Sequence, residues 1–304
     1  MATKPLISVI IPTYKRATLI ARAIETVLRQ TYGNVEILVV DDASPDDTVS
    51  VVQAIPDPRI RYIRHEKNKG SSATRNTGIR AAKGELIAFI DDDDEWCEDK
   101  LEIQVKKIAM CDVVLCMGIA GGRPLRVHRR PNITLDDLRK GSFNPSSLLA
   151  KASVLRDVMF DENLRQGEDW DVFIRIGQHY RIGWIPEPLL LYNRGSHDRI
   201  TNEKKYLSGP ELEKRTAMLY KHREFFGEKW FEYHIAGTLL TYIGSRANKL
   251  QNITYAVRRC GVVPVAIVLI DRIRKRLQRT AWTWQQAILG SGATQSRIRR
   301  STGH

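Results

Sequence analysis

The feature that most restricts the fold is an alternation running from Ile7 to about Met117. Short β-branched apolar runs take turns with segments whose apolar residues recur at helical spacing. Ile7-Ser-Val-Ile-Ile11 ends at Pro12, and Leu19, Ala23, Ile24, Val27 and Leu28 then mark one helix face. Val35 to Val40 is a second buried strand, and Ser44-Pro45 with Asp46 and Asp47 has the composition of a helix start, with Pro early and acids in the first turn. Ile60 to Ile63, Leu86 to Ile90 and Val113 to Met117 continue the series, with helices predicted up to about Ala82 and from near Lys100. This order predicts an α/β fold with a mostly parallel, Rossmann-like sheet flanked by helices. From Arg123 to Thr201 the pattern loosens without a clean linker, leaving an apolar segment at Ser146 to Val154 and a short helix over Asp169 to Gln178; from Glu203 to about Arg279 it is helical.

Sheets of this kind bind ligands outside the carboxyl ends of their strands, and the polar clusters fall there. Pro12-Thr-Tyr-Lys-Arg16 follows the first strand, Asp41-Asp42 the second, and Asp91 to Asp94 the strand after a Gly-containing loop. No Gly-x-Gly-x-x-Gly follows the first strand and no Gly-x-x-x-x-Gly-Lys-Ser/Thr occurs, which speaks against dinucleotide dehydrogenases and P-loop enzymes. Four adjacent carboxylates repel one another, so holding them at a strand end costs stability unless a cation is near. Mg²⁺ or Mn²⁺, bound by one or two carboxylates and by substrate phosphates, meets that need. The plain alternative is a solvated helix cap, because Asp99 and Lys100 open the next helix. A third acidic group, Glu168-Asp169 with Asp171, reads equally as acids in the first turn of a helix.

Six segments, in order, resemble the family 2 glycosyltransferases, inverting enzymes of the GT-A fold that use nucleotide-diphosphate sugars. They are Ser8-Val-Ile-Ile-Pro-Thr-Tyr-Lys-Arg16, Leu38-Val-Val-Asp-Asp-Ala-Ser44, Asn68-Lys-Gly-Ser-Ser-Ala-Thr-Arg-Asn-Thr-Gly-Ile79, Phe89-Ile-Asp-Asp-Asp-Asp94, Gly167-Glu-Asp-Trp-Asp171 and Pro186-Glu-Pro-Leu-Leu-Leu-Tyr192. The resemblance covers residues 6 to 201 and implies a donor-binding half over 1–122, an acceptor and catalytic-base half over 123–202, and a helical extension over 203–304. It makes Asp91-x-Asp93 the Asp-x-Asp motif, with Asp93 the direct metal ligand and Asp91 and Asp92 near ribose and diphosphate. Pro12, Tyr14, Asp41 and Asp42 then hold the nucleotide, Tyr14 by stacking and Asp42 at the base edge; Arg16 helps neutralise phosphate, and Arg75 and Asn76 match an Ala-Arg-Asn segment in which Thr74 replaces Ala. Asp169 is implied as the base that takes the acceptor proton, with Glu168 positioning it. His197 is a candidate third metal ligand or phosphate contact, beside the reading of a plain loop residue, and Arg194 and Arg199 are candidate partners of the leaving diphosphate. The implied cofactor is Mn²⁺ or Mg²⁺, the donor a nucleotide-diphosphate sugar (a UDP-sugar first), and the acceptor a saccharide or lipid-linked saccharide.

The formal charge of +13 invites a nucleic-acid reading, but residues 256–304 alone carry +9. Their run Val262 to Ile270 is far short of the roughly 20 apolar residues needed to span a bilayer. Beside the basic cluster it suits an anionic membrane surface or, equally, a helix packed on the body with a solvated basic face. No nucleic-acid partner is expected. Arg126, His128, Arg129 and Arg130 read as solvated surface, and Cys111 and Cys116 as buried apolar positions. Four cysteines without Cys-x-x-Cys spacing, and no signal-like amino terminus, suit a cytoplasmic protein, peripheral on the inner face of the membrane if the tail binds it. Two other readings remain open at this level. A nucleotidyltransferase acting on a sugar phosphate would want a Gly-rich loop after the first strand, and a non-catalytic membrane or nucleic-acid binding module would depend on the tail.

Overall fold

The computed structural model describes residues 4–193, 207–241 and 249–289, in two compact units that divide at residue 194. The first is built on ten strands: β1 (Ile7–Thr13), β2 (Val35–Asp41), β3 (Ile60–Arg64), β4 (Leu86–Phe89), β5 (Glu95–Trp96), β6 (Val113–Ala120), β7 (Arg123–Pro124), β8 (Asn132–Ile133), β9 (Leu148–Lys151) and β10 (Ile182–Leu191). The main order is β3-β2-β1-β4-β9-β6-β10-β5, with β7 on β6 and β8 on β10. The β3-β2-β1-β4 block and the β6-β10 pair are parallel, and β9 runs antiparallel between β4 and β6. Helices α1 (Ile20–Leu28), α2 (Thr48–Gln53), α3 (Ser71–Ala81), α4 (Lys100–Ile108), α5 (Leu135–Arg139), α6 (Ala152–Val158) and α7 (Glu168–His179) flank the sheet.

β1 and β2 are buried on both faces, which is why they read as continuous apolar runs rather than as alternating ones. Pro12 does not end β1. Pairing with β4 stops at Ile10, so beyond that point β1 has a neighbour on one side only and tolerates a residue without an N–H. The helix expected from Ser44-Pro45 begins instead at Thr48. Asp46 accepts hydrogen bonds from the Thr48 hydroxyl (2.6 Å) and from the Ala17 amide (3.2 Å), so residues 44–47 bend to tie the second strand's loop to the first.

α1 covers one face of the sheet through Ile20, Ala23, Ile24 and Val27, all essentially inaccessible. α3 covers the other face, and there Gly78 is pressed onto β1: a Cβ at that position would lie 2.4 Å from Ile10 Cγ2. Gly78→Ala should therefore destabilise by about 1–3 kcal/mol through overpacking, although Ala is the better helix former by about 1 kcal/mol. Urea unfolding checks this, and a variant as stable as the parent would mean that Ile10 moves aside at no cost.

The second unit comprises α8 (Gly209–Lys214), α9 (Ala217–Lys221), α10 (Arg223–Leu239), α11 (Lys249–Cys260) and α12 (Val262–Leu289). Phe226, Phe231, Ile235 and Leu239 of α10 form its buried centre, with a kink at Gly227 where φ is +66°. No helix among the described residues is long and apolar enough to cross a membrane.

Candidate active site

β4 delivers the acidic run to the carboxyl end of the sheet beside β1. The run then folds back as a turn, the Asp94 amide donating to the Asp91 carbonyl (3.0 Å). Ser146 anchors this turn: its hydroxyl accepts from the Asp91 amide (2.9 Å), and its carbonyl accepts from the indole of Trp96 (2.9 Å). The acids do not cap the following helix, because β5 intervenes and α4 begins only at Lys100. Asp91, Asp92 and Asp94 each have their own surroundings. Arg75 Nη2 donates to Asp91 Oδ1 at 2.8 Å, and Arg16 Nε lies 3.4 Å from Asp92 Oδ1. Burial pushes the Asp92 carboxyl up to about 7, with Asp93 and Asp91 adding to the rise and Thr13 and Arg16 opposing it. Asp94 is 1% exposed and receives the Asn144 side-chain amide and the Asn193 backbone amide, both at 3.3 Å. Burial first, then the charges of Asp91 and Asp93, hold its carboxyl well above the ordinary range. Asp94 is thus a buried member of the cluster, not the first acid of a helix.

A cavity of about 440 Å³ opens beside this turn, and Arg75, Asp91, Glu168 and Asp169 contribute to its wall. Arg75, reaching from α3, is the buried cation of the group: its Nη1 lies 3.5 Å from Glu168 Oε1, which also accepts from Ser71 Oγ at 2.9 Å. Although burial works to lower its pKa, Asp91, Glu168 and Asp169 together raise it, so the guanidinium stays charged. α7 starts after Gly167, whose φ of +79° suits glycine, and this turn presents Glu168 and Asp169 side by side. Asp169 Oδ1 accepts from the Trp170 amide at 2.8 Å. Burial and then the neighbouring Glu168 charge raise the Asp169 carboxyl to about 6, against Trp170, Arg75 and Ser142. A carboxylate so tuned is ionised at neutral pH yet basic enough to take a proton. Asp171, two residues on, is fully buried and bonds Arg175 Nε at 2.9 Å instead.

At the ends of β1 and β2, Tyr14 is 38% exposed with Lys15 Nζ 5.1 Å from its ring centre, while Pro12 lies within β1 itself. Asp42 is buried and holds the Gly-containing loop: Oδ1 accepts from His65 Nδ1 and the Lys69 amide (2.8 Å each), and Oδ2 from the Gly70 amide (2.7 Å). Asp41 and Asn76 are placed as parts of the scaffold. Asp41 is fully buried between the Ser44 amide (2.8 Å) and the Tyr62 hydroxyl. Asn76 is turned to the loop after α6, donating to the Phe160 carbonyl (2.9 Å) and Glu162 (2.8 Å) and accepting from the Phe160 amide (2.8 Å). His197, Arg194 and Arg199 lie outside the described residues.

Another part of the cavity lining was not legible in the sequence. Arg126, grouped with solvated surface, lines the cavity, lies 4.1 Å from the Phe143 ring centre and donates to the carbonyls of Gly141 (2.8 Å) and Ser142 (3.1 Å). His128 is likewise half-buried, its ring edge-on to Trp184 at 6.0 Å, whereas Arg129 and Arg130 are exposed as expected. Phe143 and Trp184 complete an aromatic wall, 5.8 Å apart. The Asn144-Pro145 turn was the one local hint, and nothing periodic pointed to the rest.

Residues 8–166, just over half of the chain, match the family model described as glycosyl transferase family 2. The chain is also 33% identical over 224 residues to the putative colanic acid biosynthesis glycosyl transferase WcaA of Escherichia coli (strain K12), covering 69% of this chain and 80% of that one. The chain belongs to glycosyl transferase family 2. This family 2 glycosyltransferase resembles S. aureus TarS, solved in complex with UDP-GlcNAc, at a TM-score of 0.63 and 17% identity over 88% of this chain and 92% of that one. It also resembles the mannosyltransferase PcManGT from Pyrobaculum calidifontis, in complex with GDP-Man and Mn²⁺, at a TM-score of 0.60 and 21% identity over 99% and 87% of the two chains. At these identities the likeness establishes the fold, and it is of the GT-A type.

Proposed function

We propose that the glycosyltransferase moves its sugar in a single inverting displacement, with Asp169 as the base. The reading is carried by the presence of Asp169, its carboxyl raised to about 6, in the same cavity wall as Asp91 and Arg75. Asp169 takes the acceptor proton as its oxygen attacks the anomeric carbon on the face opposite the departing diphosphate. Glu168, held by Ser71 and Arg75, keeps Asp169 basic and in place. Tyr14 stacks on the base, Pro12 shapes the loop around it, and Asp42 orders the facing loop. Arg16 and Arg75 lie close to the acids that border the diphosphate, with Asp92 among them. Asp41 and Asn76 act by holding these elements rather than by touching the donor.

The residues present fit a divalent ion. Among the described residues no three His, Cys, Asp or Glu side chains converge into a complete cage. Mg²⁺ and Mn²⁺ at phosphate sites use one or two carboxylates and take their other ligands from substrate and water. Asp91 and Asp93 supply that pair, at a turn where the four acids stand together at the carboxyl end of the sheet, with Arg75 on Asp91 and Arg16 beside Asp92. His197 remains a further candidate ligand. When bound, the ion neutralises charge on the diphosphate.

The donor is proposed to be a nucleotide-diphosphate sugar, a UDP-sugar first. The acceptor is a saccharide or lipid-linked saccharide of bacterial surface polysaccharide or glycolipid assembly, in keeping with the relative named for colanic acid biosynthesis. The cavity wall draws on residues from both 1–122 and 123–202, which supports a donor half and an acceptor half. We infer a cytoplasmic location, peripheral on the inner face of the membrane where the basic tail binds it. A panel of nucleotide sugars, titrated with and without Mn²⁺, tests the donor reading. One of them should bind in Mn²⁺, bind at least about tenfold more weakly after chelation, and release a nucleoside diphosphate. Binding indifferent to chelation would remove the metal from the account, and pyrophosphate release from a sugar phosphate plus nucleoside triphosphate would replace glycosyl transfer with nucleotidyl transfer.

A further inference from the structure

The last helix of the second unit is apolar on two opposite faces, and the helical unit covers only one of them. The inward face of α12 is fixed by Val265 and Val268, each 3% exposed, and by Arg272, whose Nη2 donates to the Gly237 carbonyl at 2.8 Å. Asp271 adds to that anchor, accepting from the Tyr233 hydroxyl at 2.8 Å. At about 100° per residue, Val263, Ile267, Ile270 and Leu277 fall on the far side. They are 68%, 44%, 64% and 65% exposed, with Val262 and Ile273 beside them at 67% and 60%. A packed helix needs one apolar stripe; a second, uncovered within its own unit and interrupted by Arg274 alone among these positions, marks an interaction surface.

We infer that this outer face of α12 lies on an anionic lipid surface, a proposal that deepens the inner-face location given above and rests on it. The charge around the stripe selects lipid over a second copy of the chain. Arg274 is exposed next to Ile273, and Lys275, 61% exposed, pairs with Asp271 at 3.0 Å within its own helix. In sequence, Arg276 and Arg279 continue the basic run of the same helix. Two copies meeting on this stripe would bring like charges together, whereas anionic headgroups supply the counter-charge. The helix is suited to lie in the interface, since no apolar stretch among the described residues is long enough to span. The face then keeps the transferase at the surface where a lipid-linked acceptor is presented.

Sedimentation of the full chain with vesicles tests this. Vesicles of equal parts phosphatidylglycerol and phosphatidylcholine should carry the protein down, vesicles of phosphatidylcholine alone should do so weakly, and added salt should release it. Ile267→Asp combined with Ile270→Asp should lower the partition coefficient at least about tenfold, with unchanged far-UV circular dichroism and unchanged donor hydrolysis in solution. Arg274→Glu with Lys275→Glu, which leaves the apolar stripe intact, should abolish the preference for the anionic vesicles. The proposal is overturned if the parent ignores anionic vesicles, if the Asp pair sediments like the parent, or if light scattering finds a parent dimer that the Asp pair dissociates. Donor hydrolysis is scored separately, so a failure of glycosyl transfer is distinguished from a failure of lipid binding.

Discussion

Asp169→Asn should lower transfer by about 10²–10⁴-fold, the usual contribution of a general base, while leaving Mn²⁺-dependent donor binding near the parental value. The amide keeps the size of the carboxyl and can still accept from the Trp170 amide, so the local fold is retained. What it cannot do is take a proton. The parent should also show an acid limb in its pH–rate profile, because Asp169 works only when ionised and its carboxyl is raised to about 6. Turnover therefore falls as pH is lowered through about 6, and that limb should be missing from the residual activity of Asp169→Asn. Near-parental turnover in the variant would remove Asp169 as the base.

Arg75→Met should damage both stability and activity. The side chain is 8% exposed and is the buried cation shared by Asp91 (2.8 Å) and Glu168 (3.5 Å), with Asp169 close enough to feel its charge. Removing one partner of a buried charge pair leaves the other uncompensated and costs about 3–5 kcal/mol. Methionine fills the space without restoring the charge. Asp169 also loses one of the influences that hold its carboxyl down, so the acid limb of the pH–rate profile should move above its parental position. The sign of the stability effect follows. A carboxyl whose folded pKa exceeds its unfolded value binds its proton more tightly in the fold, so the variant should regain stability as pH falls from neutral towards 5 or so. Urea unfolding at several pH values reads this directly. Parental stability at neutral pH would show that these carboxylates do not depend on Arg75.

The parallel half of the fold was legible because its strands are buried on both faces and each is separated from the next by a helix of clear period. β1, β2 and β4 lie where their apolar runs place them, and the acids at their ends follow from the topology. The antiparallel β9 was not legible. Ser146 to Val154 is a single apolar stretch in sequence, yet it divides into a turn, a strand inserted between β4 and β6, and the start of α6. That insertion brings Ser146 under Asp91 and sets Phe143 beside Trp184, contacts made across long separations that no local pattern encodes. For the same reason Arg126 read as solvent-facing: its partners are backbone carbonyls contributed by a loop fifteen and sixteen residues away. Asp94 carried too little local information to tell a helix cap from a buried carboxylate, and burial decided it.

The central claim is a single displacement at the anomeric carbon, with Asp169 facing the acceptor. The most direct test is the anomeric configuration of the product formed from an α-linked nucleotide sugar and a saccharide acceptor, read from the proton coupling of the new linkage by NMR. A β-linked product is the predicted result; an α-linked product would contradict the account.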